Sequence, residues 1–107
     1  MTKVVSLKNH PRRIEERIRV LATNLSKIRY SENINDLAAA RTVPMSLIWA
    51  CLEQGEVIEK WLKEEPGGVY GKLSHEAGGV VVEVDFLIET DNEGERLLVL
   101  YATVEED

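Results

Sequence analysis

"VVVEVDFLIETDNEGERLLVLYATV", residues 80–104, decides how this chain folds. Val80, Val82, Val84, Phe86 and Ile88 fall on one side of an alternating pattern. Val81, Glu83, Asp85, Leu87 and Glu89 fall on the other. A period of two marks a half-buried strand. "TDNEGE" supplies the turn residues, and "RLLVLYATV" returns as a second strand. That return is apolar on both sides, which predicts a central position or a second face covered by a helix. Working backwards, Gly78-Gly79 marks another turn, and "GVYGKLSH" (68–75) reads as a weaker strand after Pro66-Gly67-Gly68. "EVIEKWL" (56–62) alternates Val57, Glu59 and Trp61 against Ile58, Lys60 and Leu62, and reads as one further strand.

Before residue 56 the period changes to a helical one. In "HPRRIEERIRVLATNLSKIRY" (10–30), Ile14, Ile18, Leu21, Leu25 and Ile28 recur every three or four residues. This predicts one basic amphipathic helix over about 11–29, with Pro11 in its first turn. Ser31 is placed to cap a second, short helix carrying Ile34, Leu37, Ala38 and Arg41. Val43-Pro44 interrupts it. "PMSLIWACLEQG" (44–55) then offers Leu47, Ile48, Cys51 and Leu52 as a buried stripe that Gly55 stops. The expected fold is a single α+β domain, residues 1–107, with three N-terminal helices on a four-stranded, mainly antiparallel sheet.

Composition narrows the function classes. A chain of 107 residues, 44% of them hydrophobic, holds one core. No apolar run approaches the roughly 20 residues that span a bilayer, so no membrane partner is expected. The first residues lack the apolar stretch of a secretion signal, and Cys51 has no intrachain partner, so a cytoplasmic setting is expected. The net charge of −6 is unevenly distributed. Residues 1–30 hold eight Lys/Arg against two Asp/Glu, whereas residues 76–107 hold one against ten. A phosphate-binding surface would therefore have to come from the first helix.

Few groups suit chemistry. His10 precedes a helix and reads as a cap, and His75 stands beside Glu76 in a turn. Two histidines and one cysteine without metal-ligand spacing predict no metal site and no cofactor. Cys51 lies on an apolar helix face and reads as a core residue. Glu83 and Asp85 share an exposed strand face. A metal-free nuclease set would be Arg41, Tyr70, Lys72, Arg96 and Tyr101: cations to stabilise charge at phosphorus, tyrosines to stack on a base or move a proton. The structural alternative has the tyrosines covering the sheet while the cations balance carboxylates. Arg12, Arg13, Arg17 and Arg19 are candidate contacts to a partner protein or to a second copy of the chain.

From Ser31 to Val104 the order of the parts resembles a family of small bacterial proteins related to the MqsR and RelE toxins. In that family a segment like "SEHAxxRMxERGIS" precedes a helix, a "CLxxG" ending, an extended "xVIE", a "GxY" strand and a valine-rich hairpin ending near "VxTV". Here the corresponding pieces are "SENINDLAAARTVP", "CLEQGEVIE", "GGVYGKL", "VVVEVDFLIE" and "LLVLYATV". The resemblance implies helices against a curved antiparallel sheet, and the metal-independent ribonuclease activity of such toxins. It places the family histidine at Asn33, an arginine at Leu37 and a glutamate at Ala40, and it retains only Arg41. Asparagine cannot act as an acid or base near neutral pH. The expectation is therefore a noncatalytic protein-binding or assembly domain on a toxin-like scaffold. An endoribonuclease acting on single-stranded RNA is the alternative.

Overall fold

The computed structural model describes residues 9–39 and 43–106. The first helix, α1 (Pro11–Ala22), starts at the proline, and the His10 side chain caps it by accepting from the Arg12 amide. It ends a full two turns before the expected position. Thr23 closes it by hydrogen-bonding back to the Val20 carbonyl through both its amide and its hydroxyl, at 3.2 and 2.7 Å. Asn24 then accepts from the amide and hydroxyl of Ser26 and caps a 3₁₀ turn, Leu25–Lys27. Thr and Asn offer the backbone these local alternatives to a helix, and here they prevail. Ile14, Ile18 and Leu21 are buried as the spacing required, but Leu25 is 74% exposed. Ile28 reaches the core from a strand, β1 (Ile28–Tyr30).

Ser31 links that strand to α2 (Glu32–Ala39). Its hydroxyl donates to the Leu100 carbonyl at 2.6 Å, and its backbone oxygen accepts from the Ile34 amide. Next, α3 (Met45–Gln54) follows Pro44 and buries Ile48, Cys51 and Leu52. Gly55 stops it in extended backbone, and a Cβ at this position would collide with the Cys51 carbonyl.

Six strands form one mixed sheet, in place of the four-stranded, mainly antiparallel, curved sheet expected. They are β1, β2 (Glu56–Val57), β3 (Lys63–Glu65), β4 (Gly68–Ala77), β5 (Val80–Asp91) and β6 (Gly94–Glu106). The order is β1-β6-β5-β4-β2, with β3 also on β4, and the sheet is neither closed nor strongly curled. The β4–β5–β6 meander is antiparallel. Its first hairpin turns through Gly78 and Gly79, both with positive φ (58° and 84°), as a two-residue turn of right-handed strands demands. The parallel element is β1, which pairs Ile28 with Leu97 and Tyr30 with Val99 at one edge.

The expected strand over 56–62 keeps only β2 at its start and then breaks into a 3₁₀ turn, Glu59–Trp61, before the edge resumes just beyond it in β3. Val57 pairs with Leu73 and Lys63 with Tyr70, so six residues of edge run beside three of β4. The turn takes up the surplus. Leu62 goes fully into the core, and Trp61 is left 55% exposed. A second break lies in β6. Asp85 pairs with Tyr101 but Phe86 with Val99, so Leu100 is an extra residue in a bulge.

The three helices pack on one face of the sheet. There Val69 and Leu73 of β4, Val82, Val84, Phe86 and Ile88 of β5, and Leu97, Val99 and Ala102 of β6 join the helix stripes in one core. Phe86 lies across Gly71, where a Cβ would sit 2.5 Å from its ring and 3.2 Å from Leu62. Only glycine fits there. The other sheet face carries no helix among the described residues.

Candidate functional site: the open face of the sheet

Alternation along β4, β5 and β6 assigns the residues of the open face, and the register sets them in rows. One row crosses the sheet as Lys72–Asp85–Tyr101, and the next as Tyr70–Leu87–Leu98. Arg29 of β1 continues the second row beside Leu98. Antiparallel sheets commonly leave one face in water and make it polar. This face departs from that pattern at its centre, where a tyrosine and two leucines lie side by side across three strands.

Both register breaks lead to the same place. The turn at Glu59–Trp61 brings the Trp61 ring over the face, and the bulge sets Leu100 and Tyr101 beside it. Trp61, Tyr70, Gly71, Lys72, Asp85 and Leu100 line a shallow depression of about 300 Å³. Tyr101, opposite Asp85, is 43% exposed at its rim. Bulges re-aim side chains at functional positions more often than elsewhere in sheets.

Electrostatics decide what this depression holds. The Lys72 ammonium lies 3.4 Å from Asp85 and 3.8 Å from Glu83, and 5.3 Å from the centre of the Trp61 ring. The Lys60 ammonium stands 5.7 Å from the same ring. Among the described residues Lys72 is the basic one lining the depression, and two carboxylates already share its charge. A phosphate placed here would meet a neutralised cation and two carboxylates.

The sequence-derived set separates accordingly. Tyr70, Lys72 and Tyr101 do share the open face. Arg96 belongs two rows away, opposite Glu89, roughly 13 Å along the strands. Its guanidinium pairs with Asp91 at 3.3 Å and Glu93 at 3.2 Å in the β5–β6 turn. Arg41 and Ala40 lie outside the described residues. Asn33, where the resemblance puts a histidine, is exposed on α2. Trp61 was not singled out for chemistry by the sequence, because alternation assigned it to a continuous strand.

The basic helix is partly committed inside the chain. Arg17 forms a two-pronged ion pair with Glu95 and donates to the Asn9 side chain at 2.6 Å. Arg19 donates to the carbonyls of Glu53 (2.7 Å) and Gly55 (3.1 Å), fastening α1 to the end of α3. Arg12 and Arg13 are exposed and make no ion pair among the described residues.

The other candidates are accounted for structurally. His75 and Glu76 continue β4 instead of forming a turn, so consecutive positions put them on opposite faces. Cys51 is fully buried, its Sγ 3.8 Å from the Val82 carbonyl. Burial, and then the negative charge of Glu83, push its thiol up to about 12, where the thiolate needed for reactivity is absent at neutral pH. Burial also pushes the Tyr30 hydroxyl up, and that hydroxyl is buried without a hydrogen-bond partner. Among the described residues no group of His, Cys, Asp or Glu could hold a metal ion, and no helix is long and apolar enough to cross a membrane.

Among the described residues, the fold and this face define a two-layer α+β arrangement with helices on one side of the sheet and an aromatic-bearing face without a helix on the other. Comparisons of the chain with protein families, with curated proteins and with solved structures found no match.

Proposed function

We propose that this chain is a noncatalytic protein-binding domain of the cytoplasm that docks a partner protein on the open sheet face. The observation that carries this reading is the convergence of both register breaks on one depression, where Trp61, Tyr70 and Leu100 surround a cation already paired with two carboxylates. Aromatic side chains anchor protein interfaces because they bury large area with little loss of rotamer freedom. The charge pattern supports a partner surface that sets cationic side chains among apolar ones, since Glu83, Asp85 and Glu89 line the central strand of the face.

Descent from a toxin-like scaffold fits the same reading, with Asn33 on α2 in place of a proton-transferring group. The endoribonuclease alternative draws on Tyr70, Lys72 and Tyr101 sharing a face, but its cation is paired and Arg96 stands apart. A second copy of the chain would be an occupant of a different kind. Arg12 and Arg13 lie on the helical layer, so seating one copy's α1 on the next copy's sheet would be a head-to-tail contact that propagates.

A photo-crosslinking amino acid placed at position 98 tests the proposal against the same label at position 12. The expected result is a crosslink from position 98 that excess wild-type protein competes away and that W61A or L100S abolishes. Competed crosslinks arising only from position 12 would overturn the docking face. Cleavage of mixed single-stranded RNAs in metal-free buffer, lost in an R41A/K72A double variant, would overturn the noncatalytic assignment.

A further inference from the structure

We infer that the depression bounded by Trp61, Tyr70, Asp85 and Leu100 is an arginine-recognition site, which Lys72 occupies as an internal stand-in for a partner's guanidinium. This inference rests on the docking face proposed above and names what that face reads.

The walls of the depression are built to attract a cation. An indole ring with ammonium groups 5.3 and 5.7 Å from its centre attracts cations through its electron-rich face. The carboxylates of Asp85 and Glu83 add charge to that attraction. Together these are the two elements that receive a guanidinium: an aromatic plane for stacking and a carboxylate for the fork of N–H donors.

Lys72 fits those walls imperfectly. A charge-assisted N–H to carboxylate hydrogen bond spans about 2.7–2.9 Å. Lys72 sits 3.4 and 3.8 Å from its two carboxylates, between them and in direct hydrogen-bonding contact with neither. With Lys60 on the same ring, two ammonium groups face two carboxylates, so a guanidinium gains a free carboxylate only by displacing Lys72. A lysine is a point charge on a flexible stem, so it can swing away at little cost. An arginine from outside would bond one carboxylate through two parallel N–H groups and stack on Trp61.

The size of the depression agrees. At about 300 Å³ and open to solvent, the depression is at the lower limit of small-molecule sites. One long side chain suits it better than a nucleotide. Leu87, Leu98 and Tyr101 lie next to it and would receive the apolar neighbours of that arginine.

Lys72 gives a test whose sign separates the possibilities. As a stand-in it competes with the ligand, so K72M should strengthen binding of an arginine peptide. As a phosphate contact it would be required, so K72M should abolish binding of an anion. The probes are acetylated, amidated Gly-Leu-Arg-Leu-Gly, the same peptide with citrulline for arginine, and a pentauridylate. Binding is followed through the Trp61 indole resonance, with a thermal melt of each variant to establish folding and K72Q as a second charge-removing change.

The expected result is binding of the arginine peptide about tenfold tighter than the citrulline peptide. K72M and K72Q should each tighten it several-fold, and D85N should weaken it several-fold. Equal binding of both peptides at Trp61 would overturn arginine recognition while leaving the docking face in place. Weaker arginine binding in folded K72M and K72Q would also overturn it, as would pentauridylate binding that depends on Lys72. If neither peptide moves the Trp61 signal, the inference fails, and the crosslink from position 98 then decides whether the docking face fails with it.

Discussion

The two faces of this sheet are made by the same three long strands, yet they follow different rules. On the covered face, Val82, Val84, Phe86 and Ile88 keep strict alternation and lose essentially all exposure to water. A gap or surplus of one methylene there is felt by the whole core. On the open face the same strands carry Glu83, Asp85 and Leu87, and the breaks at Glu59–Trp61 and Leu100 deliver side chains that regular pairing would not. Packing fixes the first face. The second is freer to vary, so its departures from regularity are the better guide to what the protein does.

The comparison breaks most visibly if a charge is tolerated in the core. Ile18 is fully buried between helix and sheet. I18D should lower stability by about 4 kcal/mol or more, a large share of what holds a domain of this size together. A melting temperature equal to wild type would show that α1 does not close the covered face.

A smaller effect sharpens the contrast through pH. The raised pKa of Cys51 means that the folded state holds this proton more tightly than the unfolded chain. Its contribution is complete below about 9 and is lost as pH rises from there toward about 12, with a slope of at most about 1.4 kcal/mol per pH unit. Urea titrations at pH 8, 9.5 and 10.5 should therefore show wild type losing stability faster than C51A. Parallel losses would mean that the thiol is less shielded than the covered face requires.

The smallest stability effect belongs to the open face. L98S should lower stability by about 1–2 kcal/mol, well below the cost of I18D, because the side chain is only partly buried. It should nevertheless remove most of the partner crosslinking seen from a label placed beside it at position 101. A large loss of stability would mean that Leu98 serves the fold and not a partner.

The regular parts of the molecule were legible in the sequence, and the breaks were not. Pro11, Ser31 and Gly55 marked helix ends because each has a local physical reason to be there. The Gly78-Gly79 turn and the alternation of β5 were equally plain. Ile28, by contrast, fits the helical spacing from Ile14 as well as it fits a strand, so a three-residue parallel strand left no mark. The bulge at Leu100 was hidden because "LLVLY" is apolar on both faces and alternation gives no parity to follow. The turn at Glu59–Trp61 was hidden because its residues alternate like a strand. At the site, Tyr70, Lys72 and Tyr101 were named only together with Arg41 and Arg96, as a nuclease set, and Glu83 and Asp85 were placed together on an exposed face. What joins the two sets is Trp61, whose position depends on a count of edge residues that only the sheet register reveals.

The pairing of β1 with β6 has a consequence for how the protein is made. Ser31 is tied to Leu100 across 69 residues, and Arg17 to Glu95 across 78. During synthesis the helices emerge long before the strands that give them a surface to bury against. Long-range contacts of this kind slow folding, because chain entropy is lost before the contacts form. The first helix packs on α3 and β2 as well as on β6, so Ile14, Ile18 and Leu21 find part of their cover early and the rest only when β6 arrives. The chain is most open to capture by chaperones, or by its own neighbours, during that interval.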